Sequence, residues 1–229
     1  MTPTQPQTET TKDQWTEVDR YLANLLIPAD PALDAALQAS AAAGLPSIQV
    51  SPTQGKLLHL LAMSLGARKI LELGTLGGYS TIWMARALPA GGRLITLEAD
   101  AKHAEVARAN IARAGLANVV DLRLGRAQET LPKLAGEAPF DLIFIDADKT
   151  GYPEYFQWAV KLSRRGSVII ADNVVRKGEI VDAASDDANV QGARRFYEMV
   201  AREPRVSATA IQTVGSKGYD GFAMAVVLS

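Results

Sequence analysis

The chain of 229 residues carries 24 Lys+Arg against 25 Asp+Glu, two His and no Cys, and is 48% hydrophobic. The lack of cysteine excludes disulfides, thiolate zinc sites, iron–sulfur clusters and a Cys nucleophile, so a metal site would have to be built mainly from oxygen ligands. A net charge of −1 supplies no global field for drawing in nucleic acid, and the length suits one generous domain.

Residues 1–14 (MTPTQPQTETTKDQ) are polar and rich in Pro, Thr and Gln, which predicts a disordered arm. This segment lacks the apolar stretch of a secretory signal, and the longest apolar run, Phe222 to Leu228, falls far short of the ~18–20 residues that span a bilayer. A cytoplasmic protein without membrane association is expected. From Trp15 the pattern turns helical: Trp15, Val18, Tyr21, Leu22, Leu25 and Leu26 form one apolar stripe. Such a stripe most often packs into a core, but it also suits a lid or a dimer surface. A second helix is expected from Asp30-Pro31 to Gly44. A third runs from the capping-box pattern Ser51-Pro52-Thr53-Gln54 to Gly66.

Beyond residue 66 the rhythm changes. Short apolar runs at 68–73, 93–98, 119–124, 140–146 and 167–172 alternate with helical segments near 79–88, 101–114, 128–135, 151–163 and 188–202. Near-continuous apolar strands alternating with helices predict a parallel sheet covered on both faces. Two further strands, 205–214 and 221–228, are joined by the short segment Gly215 to Asp220, too short for a helical crossover, so they pair antiparallel. The expected architecture is α/β: a doubly wound, Rossmann-like sheet of seven strands, mostly parallel, with an antiparallel C-terminal hairpin. One domain, 15–229, then divides into N-terminal helices (15–66) and the α/β core (67–229).

Ligands of open α/β sheets sit at the carboxyl ends of the strands, which directs attention to four places. The first strand ends in Glu72-Leu73-Gly74-Thr75-Leu76-Gly77-Gly78-Tyr79-Ser80. Its glycines let backbone approach a ligand, although an ordinary tight turn reads the same way. Glu98 ends the second strand, where an acidic side chain can accept ribose hydroxyls; neighbouring Asp100 can instead cap the next helix. Asp146 and Asp148 lie two apart at the end of FDLIFID, with Lys149 following. Asp148 can equally cap the helix beyond, with Lys149 as its solvated ion-pair partner. Asp172-Asn173 ends the fifth strand; both side chains can meet one ligand only if the chain turns there, and an Asx turn is the plain alternative. With the two strands adjacent, Asp146, Asp172 and Asn173 converge as an oxygen donor set suited to Mg²⁺.

The words LELGTLGGYS, FIDADK and IIADN, in that order, resemble the cation-dependent class I O-methyltransferases that use S-adenosylmethionine, the group that includes catechol and caffeoyl-coenzyme A O-methyltransferases. The likeness runs from about Val50 to the end of the chain. It implies a cofactor site with Val50, Glu72, Gly74 and Ser80 toward the methionine end, Glu98 at the ribose, Ala127 at the adenine and Asp148 near the sulfonium, with Thr75 and Asp146 as further cofactor contacts. It also implies Asp146, Asp172 and Asn173 as ligands of Mg²⁺ or another divalent ion, Lys149 as general base beside Asp146, a small catechol-like phenol as acceptor, and a homodimer. The loop 174–190, the N-terminal helices and Tyr219 are expected to shape the acceptor pocket.

Two other functions are compatible with such a sheet. Methylation of a hydroxylated tRNA uridine would call for Lys/Arg clusters on phosphate, and Arg164-Arg165 and Arg194-Arg195 are too few. A nicotinamide oxidoreductase fits poorly, because the loop reads GxxGG rather than GxGxxG and no tyrosine is followed by lysine four residues later.

Overall fold

A computed structural model describes residues 9–229, with side chains from Thr11 onward. Three helices come first: α1 (Glu9–Leu26), α2 (Pro31–Ala42) and α3 (Pro52–Ser64). The arm expected over 1–14 is therefore helical from Glu9, while residues 1–8 lie outside the described residues. The segment ETTKDQ holds no Gly or Pro, so the helix of the apolar stripe propagates back through it. α2 opens as expected, with the Asp30 carboxylate accepting from Ala32 N and Leu33 N and Pro31 preset for the first turn. α3 makes only half of its capping box. Ser51 Oγ accepts from Gln54 N at 3.2 Å, but the Gln54 side chain points elsewhere.

The remaining elements are β1 (Lys69–Leu73), α4 (Tyr79–Ala85), β2 (Arg93–Glu98), α5 (Ala101–Arg113), β3 (Val120–Leu124), α6 (Ala127–Thr130), β4 (Phe140–Ile145), α7 (Tyr152–Lys161), β5 (Ser163–Asp172), α8 (Ala188–Arg202), β6 (Val206–Gly215) and β7 (Gly218–Val227). The helix expected over 128–135 breaks into α6 and a 3-10 turn, Leu131–Glu137. Pro132 has no N–H to continue the α ladder, which accounts for the break. The hairpin loop is tighter than expected: β6 and β7 stay paired out to Gly215 and Gly218, leaving only Ser216-Lys217 between them.

The strand order is β3-β2-β1-β4-β5-β7-β6, with parallel pairing from β3 through β5 and antiparallel pairing at β5–β7 and β7–β6. The seven-stranded, mostly parallel sheet is thus the one anticipated. Alternating side chains feed two cores. Leu71, Leu73, Ile143, Ile145, Ile169 and Ala171 pack with α7 and α8, while Ile70, Leu142, Phe144, Val168 and Ile170 pack with α2, α3, α4 and α5. Each fully buried Leu or Ile contributes roughly 1.5–3 kcal/mol. No helix among the described residues is long and apolar enough to cross a membrane.

The chain winds from β1 outward to β2 and β3, then returns to β4 on the other side of β1. A crevice therefore opens between the carboxyl ends of β1 and β4, the topological switch point. The register pairs Leu73 with Ile145 and Ile145 with Ala171, which sets Gly74, Asp146 and Asp172 side by side at the tips.

Candidate active site

A cleft of 750 Å³ occupies this switch point. Val50, Gly74, Thr75, Ser80, Glu98, Ala127, Asp146, Asp148, Lys149 and Asn173 line it, so ten of the twelve residues singled out above share one cavity. Glu72 and Asp172 stand behind its wall, 0% and 5% exposed. Its far side comes from α2 and the 45–50 segment, with Arg176 and Asn189 added by the loop and helix after β5. Neither α1 nor Tyr219 lines the cleft, so the acceptor-pocket role expected for Tyr219 has no contact behind it; its hydroxyl bonds Gln212 instead.

The turn after β1 is held from below and from the side. Gly74 has φ +91°, and a Cβ built on it would meet Asp146 O at 1.9 Å, so only glycine lets β1 and β4 close up here. Glu72 accepts hydroxyl hydrogen bonds from Ser80 at 2.6 Å and Thr81 at 2.5 Å. Complete burial dominates and pushes its pKa up to about 7 despite those donors. Glu98 takes up the turn's orphan donors, Thr75 N and Leu76 N on Oε2 and Asp100 N on Oε1. Asp100 caps α5, accepting from Lys102 N and His103 N. The buried Asn110 amide donates to Gly77 O at 2.9 Å and ties the turn to α5. Sequence reasoning passed over Asn110, whose one signal was a polar residue on the Ala104, Ala107 and Ile111 face.

At the tip of β4, Asp148 does cap the short 3-10 turn Lys149–Gly151: its Oδ2 accepts from Gly151 N and Thr150 Oγ1, and its Oδ1 from Tyr155 OH at 2.5 Å. Lys149 is neither solvated nor paired with Asp148. It is buried, and Nζ donates to Asp146 Oδ1 (3.1 Å), Ala147 O (3.1 Å) and Tyr152 OH (2.6 Å), which engages all three ammonium hydrogens. The Tyr152 hydroxyl in turn lies 3.0 Å from Ile145 O and 2.9 Å from Asp172 O, joining the ends of β4 and β5.

Asn173 adopts φ +53°, the turn required for both Asp172 and Asn173 to face one place. Asp172 accepts from Asn173 N on Oδ1 and from Gln54 Nε2 on Oδ2 at 2.6 Å. Burial first and the Asp146 charge second push the Asp172 pKa up. The Asn173 carboxamide has no hydrogen-bond partner among the described residues. Nor do these residues hold any group of three or more His, Cys, Asp or Glu side chains fit for a metal; the set here is two carboxylates and one carboxamide. Gln54 and Tyr152 were missed as partners because nothing local in the sequence marks a contact across 118 residues or a hydroxyl shared by two strands.

A sheet wound in this order, with a glycine turn and acidic strand tips around its switch-point cleft, defines a class I methyltransferase architecture. The profile of the O-methyltransferase family matches residues 29–225, and the chain belongs to that family. A catechol O-methyltransferase of Niastella koreensis is 58% identical over 212 residues, 92% of this chain and 96% of the relative. The structure of an O-methyltransferase from Bacillus cereus in complex with SAH superposes with a TM-score of 0.92 at 62% identity, covering 94% of this chain and 99% of that one. An O-methyltransferase of tomaymycin synthesis from Streptomyces achromogenes, in complex with SAM, gives a TM-score of 0.92 at 53% identity over 95% and 99%. The protein is accordingly an S-adenosylmethionine-dependent O-methyltransferase, and the oxidoreductase reading is set aside.

Proposed function

We propose that the chain methylates a hydroxyl of a small catechol-like phenol with the help of a divalent cation such as Mg²⁺, residues 15–229 acting as one catalytic domain. The metal part rests on one observation: an unpartnered Asn173 carboxamide beside two carboxylates, one of them the buried Asp172. Lys149 bonds Asp146 but not Asp172, so the buried Asp172 carboxylate has no cation of its own, and an all-oxygen set suits a hard ion. Asp146, Asp172 and Asn173 are the residues that would hold it. Such an ion supplies positive charge that favours the deprotonated form of a phenol whose ordinary pKa is about 10. The catechol part is supported by the name carried by the relative of 58% identity.

In this reading Val50, Gly74, Thr75, Ser80, Glu98, Ala127 and Asp148 hold the methyl donor, and Glu72 acts through the Ser80 hydroxyl it fixes. Glu98 Oε1, which accepts only from Asp100 N, keeps a second lone pair for a ribose hydroxyl, whereas Oε2 is filled by Thr75 N and Leu76 N. Lys149 takes the acceptor's proton, which requires it to exchange one of its three hydrogen bonds and to be neutral at that moment. The acceptor oxygen then attacks the methyl carbon in line, and the carbon–sulfur bond breaks with its electron pair going to sulfur. Alignment in the cleft supplies much of the rate.

We also infer a homodimer. The α1 stripe faces outward, with Tyr21, Leu25 and Leu26 64–65% exposed, and is continued by Leu60 and Met63 of α3 and by Ile211 and Val214 on the edge strand β6. An apolar area of this kind on an unpaired sheet edge calls for a cover, and a second copy provides one.

Labelled methyl transfer to a panel of catechols tests the main proposal. Transfer is expected with Mg²⁺, is lost in EDTA, and is lost in Asp172→Ala while calorimetry still detects bound S-adenosylhomocysteine. Glu98→Ala is expected to weaken that binding. Transfer indifferent to chelation, or unaltered in Asp172→Ala, would refute the metal assignment.

A further inference from the structure

The guanidinium of Arg176 lines the cleft with its side chain 28% exposed, yet no hydrogen bond joins it to any group among the described residues. Its Nε is buried without a partner. The nearest anion, Asp220 Oδ2, is 3.9 Å from Nη1, beyond hydrogen-bond range. The other Asp220 oxygen is committed to the backbone, accepting from Val175 N, Arg176 N and Gly221 N at 2.9–3.0 Å. Asp187, whose carboxyl is lowered chiefly by its bond from Asn189 N and only slightly by Arg176, is likewise occupied in capping α8. A largely enclosed arginine is ordinarily matched by a planar acceptor that engages two of its N–H groups at once.

The backbone supports this reading. Arg176 and Lys177 are consecutive non-glycine residues at φ +53° and +56°, a conformation that costs each of them and clusters at functional sites. The Asp220 carboxylate holds the loop in it. Arg176 lies three residues beyond Asn173 on the loop after β5, and both line the cleft; Asn173 is one of the residues proposed above to hold the cation that the acceptor hydroxyl would meet.

We propose that Arg176 is a specificity-determining residue that binds a carboxylate carried by the acceptor, so that the preferred substrates are catechols with an acidic substituent, such as dihydroxybenzoates or dihydroxycinnamates. This rests on the catechol reading above. The donor's own carboxylate is the other source of that chemistry, and the position of Arg176 beyond Asn173 favours the acceptor's.

The test compares three ring-matched vicinal diols, dihydroxybenzoate, dihydroxybenzyl alcohol and dihydroxybenzylamine, on the wild type, Arg176→Gln and Arg176→Lys, with calorimetric binding of S-adenosylhomocysteine to each. The wild type is expected to favour the benzoate over the alcohol by about 10-fold or more in kcat/KM, expressed mainly in KM, with the amine poorest. In Arg176→Gln the ratio falls to within about threefold of unity; Arg176→Lys, which keeps the charge but not the fork, lies between. A wild type that handles the alcohol as well as the benzoate overturns the proposal without recourse to any variant. So does an Arg176→Gln enzyme whose ratio is unchanged, or one that loses homocysteine-product binding instead of acceptor discrimination. Failure to methylate any of the three diols, with the product still bound, would instead bring down the catechol reading itself.

Discussion

Glu72 offers the sharpest physical test, because it is a carboxyl with 0% exposure and no cationic partner, held by two hydroxyls behind the wall of the cleft where the donor is proposed to bind. Burial lifts its pKa from 4.5 to about 7 in the folded chain. Between those values the folded state keeps a proton that the unfolded state releases, so stability falls as pH rises through the window and levels off above it. A shift from 4.5 to about 7, at about 1.36 kcal/mol per unit, corresponds to roughly 3 kcal/mol, and complete burial leaves no solvent screening to discount. Glu72→Gln is neutral at every pH, and the Ser80 and Thr81 hydroxyls can turn to accept from its amide. The measurement is urea unfolding of both proteins without ligand from about pH 5 to about pH 8. The variant should gain roughly 3 kcal/mol relative to the wild type across that range, with S-adenosylhomocysteine binding weakened. A difference that stays flat with pH, or that runs the other way, would refute the claim that burial outweighs the hydroxyl donors at this site.

Other substitutions probe the frame around the cleft. Gly74→Ala should destabilise by more than about 3 kcal/mol in urea unfolding, since its Cβ would lie 1.9 Å from Asp146 O at a left-handed position; a loss under about 0.5 kcal/mol would mean that β1 and β4 can part freely. Tyr152→Phe removes the hydroxyl between Lys149 and the carbonyls of β4 and β5, and should cost about 1–3 kcal/mol together with a fall in kcat. A thermal melt and turnover both matching the wild type would show that the bridge has no mechanical role. Light scattering should find a dimer that Leu25→Asp converts to a monomer; a monomeric wild type would dispose of the second-copy explanation for the exposed α1 face.

Much of this molecule is legible in its sequence, and the reasons are local. Short apolar runs followed by helical stripes place β1 to β5, and a loop too short for a crossover forces the last pair of strands antiparallel. Strand tips in an open sheet collect ligands, so Gly74, Glu98, Asp146 and Asn173 could be singled out from their positions alone, and they do share one cleft. Boundaries were less secure where a single residue decided them, as Pro132 did in cutting short the helix after β3, or where nothing stopped propagation, as at Glu9.

What only the tertiary structure decided concerns partners rather than elements. Gln54 looks like half of a capping box until the fold brings its amide to Asp172, and Lys149 looks like a solvated neighbour of Asp148 until it is found buried against Asp146 and Tyr152. Periodicity identified the apolar stripe of α1 but said nothing of what lies opposite, and in this chain the stripe faces outward. The loop 174–190 was legible as a wall of the acceptor pocket, but nothing in the sequence picks out Arg176 within it; it stands out only because its guanidinium lines the cleft without a hydrogen-bond partner among the described residues. The physical reason is the same in each case. Propensity and pattern act over a few residues, whereas burial, desolvation and hydrogen-bond partnership are set by whichever distant segments the packed chain brings within about 3 Å.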